Sequence, residues 1–304
     1  MKILAYIGQF RIIALLLVVL SACQQQEANL YTPTFADKEE DDTVEYTFSV
    51  HPLHNPQRLF DVFNPLMTYL SSQIDGVKFK LEASRNYAAY NEKLYAKQAD
   101  FSLPNPFQTI NAIDRGYRVF AKMGDDDNFR GIILVRKDSG IKRVRDLRGK
   151  AVSYPAPTAL AATMMPQYYL QTHGLNVLKD LDNRYVGSQE SSIMNVFLGH
   201  TAAGSTWPPP WRALSKERPE LARELEVIWR TDPLPNNGLV VLPSVNPEVT
   251  KQVQKLLTTL HTHPQGQEIL SRMELSRFEV ASEATYQPVR DFVRDFETTV
   301  RPLQ

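Results

Sequence analysis

From Val44 onward the chain switches repeatedly between two hydrophobic periods. Val44 to Val50 alternates every second residue, as a half-buried strand does. Leu59, Phe60, Phe63, Leu66, Met67 and Leu70 then recur at helical spacing and predict an amphipathic helix from Arg58 to Ile74. Val77 to Ala83 alternates again, Tyr87 to Lys97 reads as a helix, and Asp100 to Leu103 as a short strand. Pro104-Asn105-Pro106 opens a helix to about Arg115, and a strand from Tyr117 to Met123 ends in an acidic turn. Phe129 to Val135 is a β-rich run that suits a crossing from one lobe to another. Asp138-Ser139-Gly140 turns the chain into a short basic helix, Arg143 to Arg148, stopped by Gly149. Lys150 to Tyr154 is a strand, and Pro155 to Thr158 opens a long helix to about Thr172. Beyond it come a strand at 184–186, a helix from Gly187 through Leu198, a strand at 202–206 and a stiff loop from Trp207 to Trp211. Strands at 225–230 and 238–242 follow, the second returning the chain to the first lobe, and three helices close it: 247–260, 265–272 and 284–300.

Strands that alternate with helices of this length indicate βαβ units. The expected fold is α/β, with two lobes, each a mainly parallel sheet flanked by helices. No long Gly/Ser linker separates the lobes, which fits lobes interleaved along the chain. The expected division is 44–130 with 232–304 in lobe 1 and 131–231 in lobe 2, hinged near Gly131 and Arg230–Asn237. Ligands in such folds sit beyond the carboxyl ends of the strands. The loops that follow predicted strands are 51–56, 103–107, 154–158, 187–191 and 205–210.

The N-terminus fixes the expected compartment. Lys2 and Arg11 precede an apolar run, Ile12 to Leu20, that is too short to span a bilayer comfortably. It ends in Leu20-Ser21-Ala22-Cys23, which resembles a bacterial lipobox. Residues 1–22 are therefore expected to be a lipoprotein signal peptide, with Cys23 the lipidation site. Cys23 is the one cysteine of the chain, so no intramolecular disulfide forms and its sulfur is free for lipid. Residues 23–43 are polar and acidic and read as a flexible tether. Gln24 after the cysteine, in place of an aspartate, tilts the expected location toward the outer membrane. Lys plus Arg and Asp plus Glu are equal at 34 each, which argues against a charge-driven nucleic-acid binder.

Chemistry is sparse. The chain holds no nucleophile elbow, no phosphate-binding P-loop and no dinucleotide fingerprint. His51-x-x-His54 lacks the supporting carboxylate frame of a zinc site, so no metal and no cofactor are expected, and His51 and His54 are placed at the rim of a cleft. An enzyme is not expected.

The run from Phe129 to Thr158, with its strand, "DSGIKRVRDLRGK", strand and proline-rich loop, resembles the PhnD-like solute-binding proteins of phosphate, phosphite and phosphonate ABC transporters. These are type 2 periplasmic binding proteins, and the resemblance covers roughly Glu45 to the C-terminus. It implies capture of a small molecule by lobe closure, then presentation to an ABC permease or a membrane sensor, by a lipid-anchored monomer. Asp100 to Pro106 is similar to the family's strand-to-helix element, with Asn105 in place of a glycine, and Tyr87-Ala88-Ala89-Tyr90 matches the aromatic at the start of its second helix. Where the family grips phosphonate oxygens with Ser-Thr-Ser, this chain has Ala159-Leu160-Ala161, with Thr158 alongside. The family's Gly-Ser-His-Asp is Gly187-Ser188-Gln189-Glu190 here, and the Asp of its Val-Asp-Ala-Gly is Ala202. A dianion needs several charge-assisted donors, so a phosphonate ligand is doubtful. The cleft residues expected are Asn105, Tyr154, Thr158, Ser188, Gln189, Ser205, Thr206 and Trp207. The alternative reading is a module whose ligand binding has weakened and which regulates a membrane signalling protein.

Overall fold

The structure, a computed structural model, describes residues 43–303. The expected signal peptide, the lipidated Cys23 and the tether up to residue 42 lie outside the described residues. Eleven strands are described, in two sheets. In chain order they are β1 (Val44–Val50), β2 (Val77–Glu82), β3 (Phe101–Leu103), β4 (Arg118–Met123), β5 (Ile132–Arg136), β6 (Lys150–Tyr154), β7 (Leu181–Tyr185), β8 (Ala203–Thr206), β9 (Leu225–Arg230), β10 (Gly238–Val241) and β11 (Phe278–Val280). The first sheet has the order β11-β4-β10-β3-β1-β2, the second β7-β6-β8-β5-β9. Within each, the strands that alternate with helices pair in parallel: β1 with β2 and β3, β6 with β7 and β8. The antiparallel pairs all include a strand beside a crossing, β4 with β10 and β11, β10 with β3, and β5 with β8 and β9, so both sheets are mixed. The chain leaves the first sheet after β4 and returns through β10, so the two crossing segments, 124–131 and 231–237, run side by side.

The crossings are held by backbone bonds. Thr231 N–H donates to the Gly131 carbonyl at 3.0 Å, and Leu234 N–H to that of Phe129 at 3.0 Å. Gly131 has no room for a side chain: a Cβ there would meet the Ala161 carbonyl oxygen and Pro166 Cγ, both at 2.6 Å. Glycine is needed here for close approach.

The helices are α1 (Pro56–Gln73), α2 (Tyr87–Tyr95), α3 (Pro106–Ile113), α4 (Met165–Thr172), α5 (Val177–Asp180), α6 (Gln189–Phe197), α7 (Pro208–Glu217), α8 (Pro219–Glu224), α9 (Pro247–Thr259), α10 (Pro264–Arg272) and α11 (Gln287–Thr299). Asn55, Asn86, Asn105 and Ser188 each accept a bond from a backbone N–H of the helix they start, satisfying a donor that has no partner inside the helix. The expected stiff loop at 207–211 is instead the start of a helix. Pro208, Pro209 and Pro210 fill the first three positions of α7, where no backbone N–H is required and a fixed φ suits the helix. The expected helix from Thr158 also begins differently. Residues Leu160–Met164 form a π turn before α4, with Met164 N–H reaching back to the Ala159 carbonyl at 3.2 Å. Pro166 explains the widening, because its ring lacks an N–H and clashes with the carbonyl four residues earlier.

One apolar cluster fills the first lobe, built on Phe48, Phe63, Phe101 and Phe278. A second, built on Phe129, Val152, Tyr154, Leu170 and Trp207, fills the other lobe and also takes in Phe107 and Ile110 of α3 and Val289 and Phe296 of α11. The C-terminal helix therefore straddles both lobes. Among the described residues no helix is long and apolar enough to cross a membrane.

Candidate functional site

A concavity of about 1020 Å³ is an open groove along the edge strand β2 and α1, on the first lobe alone. The site to which both lobes contribute is much tighter. It is a cavity of about 10 Å³ lined by His51, Tyr87, Asn105, Phe129, Ala159, Leu160, Ala161, Ala162, Gln189, Trp207 and Asn237. That is room for about one water molecule. Most of its lining follows the carboxyl ends of β1, β2, β3, β6, β7 and β8, the position expected of an α/β ligand site, and Phe129 and Asn237 come from the two crossings.

The lobes meet directly around it. Tyr87 packs on Ala156, Ala159 and Ala162, and the Asn105 amide donates to the Thr158 carbonyl at 3.1 Å. Arg58 on α1 pairs with Glu217 on α7 at 2.6 Å. Arg212 and Lys216 on α7 both reach Glu274 of the first lobe, at 3.2 and 2.7 Å. His54 Nδ1 stands 3.5 Å from Glu190, at the long end for a hydrogen bond.

Four of the expected cleft residues share the cavity wall. His51, placed at the rim by sequence, is a buried wall residue, and its ring Nδ1 donates to the Leu103 carbonyl at 2.9 Å. Burial lowers its pKa to about 4, with the Leu103 bond working the other way, so the ring is neutral at pH 7. A neutral ring that donates through Nδ1 carries a bare lone pair on Nε2. Asn105 also lines the wall, with both ends of its amide bonded: Oδ1 accepts from Gln108 N–H at 2.9 Å and one Nδ2 hydrogen is donated to Thr158. Gln189 accepts the Thr206 hydroxyl at 2.8 Å through Oε1, which leaves its NH₂ as donor. Trp207 packs against Phe129, their ring centroids 5.5 Å apart and the planes tilted by 60°.

The remaining expected residues stand behind the wall. Thr206 holds Gln189 in place. Ser188 caps α6 through Ser191 N–H. Ser205 lies inside the second lobe and donates to the Ile132 carbonyl at 3.3 Å. Tyr154 is buried there against Tyr185 at 6.0 Å, and burial raises its phenol pKa. Thr158 offers its backbone carbonyl, not its hydroxyl, to Asn105. His54 is buried on the loop before α1 and faces Glu190.

Seven wall residues were outside the expected set: Tyr87, Phe129, Ala159, Leu160, Ala161, Ala162 and Asn237. Burial raises the pKa of the Tyr87 phenol, opposed in part by a hydrogen bond to Gln189 across the cleft. Asn237 follows the second crossing, and no local pattern marks it. Its NH₂ meets Met123 Sδ at 3.4 Å, while its Oδ1 is buried with no partner. Both carboxylate oxygens of Glu190 are buried as well, the nearer 3.5 Å from His54 Nδ1. Burial opposes ionisation of Glu190, but bonding to His54, to its own backbone and to Ser188 outweighs it and holds the pKa below the usual carboxylate range.

Among the described residues no group of three or more His, Cys, Asp or Glu is placed to hold a metal. A profile described as "ABC transporter, phosphonate, periplasmic substrate-binding protein" matches residues 48–286. The phosphonates-binding periplasmic protein of Escherichia coli K12 is 20% identical over 271 residues, covering 86% of this chain and 79% of its own. Among solved structures, the binding protein component of an ABC phosphonate transporter from Pseudomonas aeruginosa superposes with a TM-score of 0.77 at 18% identity, over 84% of this chain and 88% of that one. PhnD1 of Prochlorococcus marinus, in complex with methylphosphonate, gives 0.76 at 20% identity, over 83% and 98%.

Proposed function

Because the chain belongs to the family of periplasmic substrate-binding proteins of phosphonate ABC transporters, a family of binding proteins and not of enzymes, we propose that it captures a small polar molecule between its two lobes. It then presents that molecule to an ABC permease or a membrane sensor. One observation carries the reading: the cavity at the carboxyl ends of the strands is walled by side chains of both lobes. Capture then requires the lobes to part about the crossings 124–131 and 231–237 and to close again. The working division is 44–130 with 232–304, and 131–231. In this reading the chain is a monomer, held by lipid on Cys23 to the periplasmic side of a membrane, the outer one preferred.

Phosphonate itself fits this wall poorly. Ala159, Leu160 and Ala161 line the cavity where the resemblance implies gripping hydroxyls, and the neutral Gln189 stands in place of a His. A second reading, a sensor module with weakened ligand binding, draws on the tightness of the cavity and the direct lobe-to-lobe ion pairs.

The test is a thermal-shift screen of the full chain in mild detergent against phosphate, phosphite, alkylphosphonates, sulfonates, amino acids, polyamines and vitamins. A ligand at 100 times its Kd adds about 2.7 kcal/mol, a rise of about 2–4 °C for a protein of this size. Trp207→Ala removes that rise while the protein still folds. A rise that survives in Trp207→Ala places the site elsewhere, and no rise with any solute favours the sensor module.

A further inference from the structure

Helix α7 is anchored in the second lobe but turns its charges toward the first. Leu214 packs among Leu134, Ile193 and Val196 of the second lobe. Arg212 and Lys216, one turn apart and so on one face, both reach Glu274. Arg212 Nε donates to Oε2 at 3.2 Å and Lys216 Nζ to Oε1 at 2.7 Å. Arg212 also donates to Asn128 Oδ1, on the first crossing, at 3.3 Å. Glu274 is a first-lobe residue, since Met273 and Leu275 on either side of it are buried in that lobe's apolar cluster.

The backbone at Glu274 does not favour a glutamate. Where α10 ends, Glu274 N–H donates to the Ser271 carbonyl and Leu275 N–H to that of Leu270, both at 3.2 Å. This closing turn places Glu274 in the left-handed region, at φ +52°, where glycine is the usual residue and a side chain is disfavoured. Glycine does hold the corresponding place after α4 and α6, at Gly174 and Gly199. Lys97, after α2, departs from the rule as well, but it is exposed, whereas the Glu274 side chain is only 20% exposed. Burial pushes the Glu274 carboxyl upward, yet the bonds to Lys216 and Arg212 outweigh it and hold the pKa below the usual carboxylate range. A disfavoured conformation is thus kept at the point where a carboxylate meets α7 across the lobes, and such local conflicts gather where function is served.

Helix α7 also connects this contact to the cavity. Trp207 precedes its first turn, lines the cavity and is buried. Lys216 lies about 14 Å further along the same rigid helix. We propose that Glu274 is a positioning residue for capture: its carboxylate latches α7, through Arg212 and Lys216, to the first lobe and so sets how readily the cavity opens at Trp207. Glu274 does not itself line the cavity. The inference rests on the capture reading, in which the lobes part.

The experiment measures acrylamide quenching of Trp207 in the full chain in mild detergent, beside urea midpoints. The Trp207 signal is the difference between each protein and its Trp207→Phe counterpart. Glu274→Gln keeps the shape and removes the charge, while Glu274→Gly also supplies the residue that the backbone favours. Both should shift the ratio of closed to open lobes about tenfold toward open, read as a gain in Trp207 quenching. In Glu274→Gly the urea midpoint should hold, because a strained position is relieved as the ion pairs are lost. Salt at about 1 M should raise quenching in the parent chain more than in Glu274→Gln. Unchanged quenching in both variants overturns the inference. So does a gain that comes only with a lower midpoint in both variants, because Glu274 then braces the fold instead of latching the lobes. The solute screen judges capture separately. A solute that stabilises the parent chain, with no gain of quenching in Glu274→Gln, removes the latch and keeps capture; silence in both experiments removes both.

Discussion

Asn236 and Asn237 are chain neighbours, both fully buried, and are treated in opposite ways. Asn236 uses everything it has. Its NH₂ donates to the Gly124 carbonyl at 2.7 Å, its Oδ1 accepts Asn237 N–H at 2.7 Å, and its own N–H donates to Asp126 at 3.0 Å. Its carbonyl accepts the Tyr286 hydroxyl at 2.7 Å. Asn237 has its backbone paired, but its side chain makes one weak contact to sulfur and leaves Oδ1 bare at the cavity. One residue fastens the crossing between lobes; the next is held out for something else. Buried polar groups in folded proteins are almost always paired. Among the buried atoms without a partner, that of Asn237 lies on the cavity wall and those of Glu190 and His54 lie beside it, while others, such as Ser49 and Ser84, do not line the cavity; the dense bonding at the crossing points to stability.

The contrast can be broken most severely on the fastened side. Gly131→Val puts methyl groups where the Ala161 carbonyl and Pro166 already press. The expected loss is about 3 kcal/mol or more from overpacking, read as a lower midpoint in urea. An unchanged midpoint would mean that the lobes do not pack at this crossing as described.

The next largest effect concerns His51. Its folded pKa of about 4 lies below the ordinary value of 6.5, so between those values the unfolded chain binds the extra proton. Stability is then fully present above pH 6.5, falls as the pH drops through that window, and levels off below pH 4. The total is about 3 kcal/mol. His51→Gln should flatten that part of the stability profile. A profile with the same slope in both proteins would show that His51 is not held neutral in the wall.

The smallest effect is expected at the rim. Glu217 is half exposed, and its pair with Arg58 crosses between lobes at 2.6 Å. Glu217→Ala should cost about 0.5 kcal/mol, an amount that salt screens. A loss several times larger, insensitive to salt, would make this pair a structural fastening instead of a surface contact.

Much of the architecture was legible from periodicity, because β1, α1, β2 and their counterparts in the second lobe each bury one face. Two of the features that were not have plain physical reasons. The prolines at 208–210 read as a stiff loop because proline breaks helices from within, yet the first turn of α7 has no use for their missing N–H groups. The three-residue strand β11 is too short to carry a period, and it is defined by pairing with β4 about 155 residues earlier. The site divides the same way. Asn105, Gln189 and Trp207 sit where strand ends meet helix starts, a position that sequence marks. Asn237 reaches the cavity only because β10 pairs with β3 and β4, far away in the chain, and nothing around it announces that. Tyr154 and Ser205 lie at strand ends too, but strand alternation turns them into the second lobe's interior.

The most direct test of the contrast is a pair of equilibrium unfolding curves, Asn236→Ala and Asn237→Ala, against the parent chain. Asn236→Ala strands the Gly124 carbonyl and the Asn237 N–H and should lose about 2–3 kcal/mol. Asn237→Ala gives up only the contact to Met123 and removes an unpaired acceptor, so its loss should stay below about 1 kcal/mol. Equal losses would contradict the account, because they would mean that Asn237 Oδ1 is already paired within the protein and is not held for a ligand.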